Sequence, residues 1–194
     1  KEKKLILSYT SNKQFVKSFF KSYPDYFKRY AYSLAFAKKT TRETVYGFFQ
    51  NKYLSSQYLG EINLNVKQYD FENFIHSIGH DLVDGKIKGY KLYSYINNNS
   101  GFFEYLYTKF NFHFSKTFIE LTHKYLFAGR FDTKGDLVSI KIEVYTNNYP
   151  KFKHQVKEEF DIELNEIKGL VSKICAFDIS KEGELNKVTS YYWY

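Results

Sequence analysis

A chain of 194 residues with 43% apolar and 21% aromatic side chains has the material for one packed domain and is not compositionally disordered. Its single Cys excludes an internal disulfide framework and a cysteine-rich zinc module, and no apolar run approaches the roughly 18–20 residues of a membrane-spanning helix. The formal charge of +8 is one-sided: residues 1–97 hold 16 basic and 8 acidic side chains, whereas residues 98–194 hold 13 of each.

Leu5-Ile6-Leu7 is too short for the apolar core of a signal peptide, so a cytoplasmic protein is the expectation. Phe15, Val16, Phe19, Phe20 and Tyr23 fall on one helical stripe behind the capping residues Ser11 or Asn12, and Pro24 ends it. The β-rich runs 30–38 and 44–50 read as a hairpin, and the alternating run 61–66 as a strand. Phe71, Phe74, Ile75, Ile78 and Leu82 predict a helix over 70–83, followed by a strand over 88–96. Residues 102–114 lean to helix.

Residues 117–132 alternate apolar and polar, a half-buried strand that turns at Thr133-Lys134-Gly135 into a second strand over 137–145. A helix over 151–166 and strands over 170–179 and 185–192 complete the chain. Phe131-Asp132…Gly135-Asp136-Leu137 matches Phe177-Asp178…Gly183-Glu184-Leu185 with two extra residues in the second turn, and residues 34–46 hold a degenerate third copy. Hairpins following helices at this spacing predict αββ units laid side by side. The fold class is therefore a single α+β domain over 1–194: antiparallel hairpins with helices on one face, able to curl into a barrel.

Candidate chemistry is sparse. His76, His80 and Asp84 have helical spacing for a metal face but lack the glutamate of H-E-x-x-H, and a solvated face is the plainer reading. Cys175 reads as a buried strand residue with no nearby base, and His113 and His123 as core or interface histidines. There is no phosphate-binding glycine loop and no G-x-S-x-G elbow. The polar strand faces carry more. Lys124, Arg130, Lys141 and Tyr145 share one side, Lys91 and Tyr93 share a parity, and Lys173 holds a comparable place. Shut inside a barrel, such a lining holds a diphosphate by charged and phenolic hydrogen bonds, while aromatic rings shield a carbocation.

These hairpins, Ala128-Gly-Arg-Phe-Asp132 to Tyr145 and Ala176-Phe-Asp178 to Tyr191, resemble those of ABBA-type aromatic prenyltransferases, over about the last 75 residues. The resemblance implies a ten-stranded barrel and transfer of a prenyl group from its diphosphate to an aromatic or peptide acceptor. Arg130, Lys141 and Tyr145 would hold the donor, with Lys91, Tyr93 and Lys173 beside them. No cofactor follows from the sequence, and Mg2+ has no motif in its favour. Phe127-Ala-Gly-Arg-Phe-Asp132-Thr-Lys-Gly135 is also similar to the L-A-G-L-I-D-A-D-G element of homing endonucleases, although it alternates as a strand where that element is helical. The alternative to an enzyme is a basic module that binds nucleic acid or a protein partner. Its phosphate contacts would come from Lys13, Lys17, Lys21, Lys28, Arg29, Lys38, Lys39 and Arg42.

Overall fold

The computed structural model describes residues 13–22, 25–37, 40–64, 75–96, 100–164 and 171–193. Four αββ groups follow one another in the chain. The first is α1 (Lys13–Phe19), β1 (Phe27–Ala37) and β2 (Thr40–Phe49); the second is α2 (Lys52–Glu61), β3 (Ile75–Val83) and β4 (Lys86–Ile96). The third has α3 (Ser100–Phe110), a short α4 (Lys116–Glu120), β5 (Thr122–Phe131) and β6 (Leu137–Thr146); the fourth has α5 (Tyr149–Phe160), β7 (Val171–Ser180) and β8 (Leu185–Trp193). The class is α+β with an antiparallel sheet whose strand order equals chain order, β1 to β8. Among the described residues that order is linear, and the ladder is not closed into the barrel the sequence allowed.

The chain divides into two compact units. One is Lys1–Ser94 with Gly129–Leu137, and the other is Tyr95–Ala128 with Val138–Tyr194. In the first, α1 and α2 cover the sheet face built from Val45, Phe49, Ile78 and Leu82, all buried with Val16, Phe20 and Tyr58. Phe27 packs between Phe20, Phe49 and Tyr58 with ring centroids 4.7, 4.9 and 5.0 Å away. In the second, Phe102 and Phe103 of α3 sit 5.7 and 5.1 Å from Phe127 and Tyr125 of β5. Phe118 of α4 packs on Phe152 of α5 and Phe177 of β7, above a floor of Ile140, Ile142, Val144 and Cys175. Asn51, Ser115 and Asn148 cap α2, α4 and α5 by accepting amide hydrogen bonds from the first turn, and Pro150 occupies the first turn of α5.

Several expectations need correction. Residues 75–83, expected as the end of a helix, form β3; residues 65–74 lie outside the described ones. Ile75, Ile78 and Leu82 satisfy a 3.6-residue period by coincidence, while Gly79 in mid-helix argued the other way. Instead of a strand over 61–66, Glu61 ends α2 and Ile62-Asn63 form a turn, with 65 and 66 outside the described residues. The long strand over 117–132 is two elements: Ser115 caps α4 and the strand begins only at Thr122. The last helix stops at Phe160, where Asp161 takes a left-handed conformation (φ 53°).

The repeated turn holds with a changed alignment. Asp132 N–H donates to Asp136 O and Gly135 N–H to Asp132 O, while Ser180 N–H donates to Glu184 O and Gly183 N–H to Ser180 O. Asp132 Oδ1 accepts the amides of Lys134 and Asp136, as Ser180 Oγ accepts those of Glu182 and Glu184. The two turns have equal length, with Gly135 and Gly183 at φ 90° and 92°. Asp132 corresponds to Ser180 rather than Asp178, and there is no insertion.

Candidate functional site

Strand alternation gives the first unit a second face, turned away from the helices. On β2 it carries Arg42, Thr44, Tyr46 and Phe48; on β3, Ser77, Gly79 and Asp81; on β4, Lys91 and Tyr93. Asp81 is its electrostatic centre, with its side chain only 2% exposed. Its Oδ1 accepts Lys91 Nζ at 2.6 Å and Thr44 Oγ1 at 2.7 Å, and its Oδ2 accepts Arg42 Nη2. Burial alone would push this carboxyl up, but Lys91, Thr44 and Arg42 outweigh it and hold the group below its ordinary value. A glycine at 79 lets Tyr46 lie across β3, since a Cβ there would meet the Tyr46 ring at 2.9 Å. Tyr46 thereby reaches Tyr93, ring centroids 6.0 Å apart.

The second unit has its own charged cluster. Lys141 and Glu143 on β6 form a salt bridge, with side chains 19% and 15% exposed, and Lys141 Nζ donates to Tyr191 Oη of β8 at 2.6 Å. Burial would lower Lys141, but Glu143 and Tyr191 reverse that and hold it above the usual lysine range. Tyr145 is pushed up to about 12 by burial and then by Glu143 and Tyr95. At the outer margin, the Lys124 ammonium stands 4.4 Å from the Tyr95 ring centroid and 5.2 Å from that of Tyr145.

Of the residues expected to hold a diphosphate, Lys141 and Tyr145 both lie on β6 of the second unit, where Lys173 is exposed on β7. Lys91, Tyr93 and Arg130 belong to the first unit. Glu143 and Asp81, which neutralise Lys141 and Lys91, were not among the expected site residues. The alternation Ser77-Gly79-Asp81 would have exposed Asp81 had β3 been read as a strand. Of the expected phosphate contacts, Lys21, Lys28 and Arg29 are exposed and Arg42 is tied to Asp81. Lys13 and Lys17 lie on α1, and Lys38 and Lys39 lie outside the described residues.

His76 and His80 lie on a strand rather than a helix, and no group of three or more metal-ligating side chains occurs among the described residues. His76 Nδ1 bonds the Tyr93 carbonyl oxygen at 2.8 Å. His113 and His123 are exposed rather than in the core. Cys175 is buried, its thiol pushed up to about 11 by desolvation, which makes it inert. Residues 127–131 are strand, so the helix of the endonuclease element is absent there, and Asp132 organises a turn. No described helix is long and apolar enough to cross a membrane. No family model, curated protein or solved structure matches the chain.

Proposed function

We propose that the chain is a nucleic-acid-binding module whose first unit holds the phosphate backbone. The observation that carries this reading is how the cations divide. Arg42 and Lys91 are drawn inward onto the buried Asp81, whereas Lys21, Lys28 and Arg29 stay in water beside the sheet, with the Arg29 guanidinium 4.2 Å over Phe48. Lys86 and Lys88, also exposed, add charge at the opposite end of the strands. From Arg29 to Leu34, which the ladder links through Glu43 and Leu82 to Ile87, is five residues, about 17 Å. That length accepts several consecutive phosphates.

Anisotropy of labelled oligonucleotides in rising KCl tests the proposal. Three phosphate contacts give a log–log slope of about −2 to −3, and the double change Lys28→Glu, Arg29→Glu removes most of the affinity. Failure of the parent protein to bind any oligonucleotide at low salt refutes it.

The prenyl-transfer reading retains one specific support, the largely enclosed hydrogen bond from Lys141 Nζ to the Tyr191 phenol, with Tyr145 further along the same strand. A diphosphate there must displace Glu143 from Lys141. Glu143→Gln should then increase thermal stabilisation by a diphosphate analogue, and Lys141→Ala should abolish it. An analogue that stabilises none of these proteins removes this reading.

A further inference from the structure

Four strands of the first unit place planar groups in one transverse row. The register joins Arg29 on β1 to Phe48 on β2, Phe48 to Ser77 on β3, and Ser77 to Tyr93 on β4. Along that line Arg29 covers Phe48 at 4.2 Å, Phe48 meets His76 at 6.0 Å between ring centroids, and His76 meets Tyr93 at 6.4 Å. Tyr46 continues it from Tyr93 at 6.0 Å, its hydroxyl 3.4 Å from Ser33 Oγ.

His76 joins this row because of an irregularity. Strict alternation from Ser77 would send it to the helix-covered face, but the β3–β4 register shifts between Ile75 and Ser77. A bulge of this kind re-aims a side chain, and the bond from His76 Nδ1 to the Tyr93 carbonyl fixes the ring where it lands. Exposure is graded along the row: Arg29 is in water, Phe48, His76 and Tyr46 are half-buried, and Tyr93 is buried.

We infer that Arg29, Phe48 and His76 form a stacking platform for unpaired bases, so that the ligand is single-stranded nucleic acid. The inference rests on the nucleic-acid reading above and gives it a strand class. Stacking needs a free base face, which a duplex keeps covered, and it tolerates any base because each has a π surface. Arginine suits the outer position, since its planar cation stacks and meets phosphate at once. Lys28, beside it and exposed, supplies a second backbone contact.

The experiment compares a labelled dT oligomer with a duplex of equal length, using the parent, Phe48→Leu and Phe48→Tyr. Phe48→Leu keeps an apolar side chain but removes the ring. It should weaken dT binding by about tenfold and duplex binding much less, and Phe48→Tyr should restore dT binding. On the unmodified protein, added dT should shift the ring proton resonances of Phe48 and His76 in NMR spectra, which keeps the test decisive if Phe48→Leu folds poorly. Equal dT affinity for parent and Phe48→Leu, or unshifted ring resonances at saturation, overturns the platform while phosphate binding stands. Absence of binding to both oligomers overturns the platform and the proposed function together.

Discussion

His80 has no charge to offer at neutral pH. The rings of Phe19, Phe20, Tyr90 and Tyr58 enclose it at 5.1, 5.4, 5.5 and 6.0 Å, and its Nε2 lies 3.0 Å from the Tyr58 hydroxyl. Desolvation lowers its pKa from 6.5 to about 4. Because the unfolded chain binds the proton more tightly, the stability that goes with a neutral His80 is complete above pH 6.5. It is lost as pH falls through 4, by about 3 kcal/mol in all. Urea unfolding at pH 7 and pH 4 should show that loss, and the His80 ring resonances should not titrate near pH 6.5. Asp81 next to it acts in the same direction: its carboxylate stabilises above its unfolded pKa and ceases to do so as acid reaches its lower folded value. Removing that carboxylate by Asp81→Ala strands Lys91, whose side chain is only 12% exposed, and should cost about 3 kcal/mol in denaturant melts. Arg42, 40% exposed, keeps water and contributes little of that.

Secondary elements were legible in proportion to the clarity of their period. The ribbon β5–β6 and the ribbon β7–β8 follow from alternation and turn residues, because Val138, Ile140, Ile142 and Val144 leave no competing helical stripe. β3 imitates a helix in sequence because it is buried along nearly its whole length, and Ile75, Ile78, His80 and Leu82 then fit either period. α2 leaves no periodic signal in sequence because its apolar and polar residues do not segregate, and what marks it is the Asn51 cap. The candidate site suffered for the same reason. Lys91 and Tyr93 share a strand face as their parity implies, but their partners Asp81 and His76 sit on the element whose period misleads. Gly79 offers a test at this level. Gly79→Val places carbon where the Tyr46 ring crosses β3, and should cost about 1–3 kcal/mol in a thermal melt and displace the ring from Tyr93.

For the molecule as a whole, the charge asymmetry has a structural counterpart. The acid-sensitive groups His80 and Asp81 both belong to the unit that carries the exposed Lys21, Lys28 and Arg29. Hydrogen exchange at pH 4.5 should therefore show β3 losing protection before β6 and β7; simultaneous loss would contradict the assignment of acid sensitivity to the first unit. Strand order identical to chain order has another effect. Within each unit the second ribbon begins one helix after the first in sequence, β3–β4 after α2 and β7–β8 after α5. Short loop closures keep the entropic barrier low. A ribosome extruding this polypeptide can add the second hairpin of each unit to the rim left by the first, and each growing unit exposes one unfinished margin at a time.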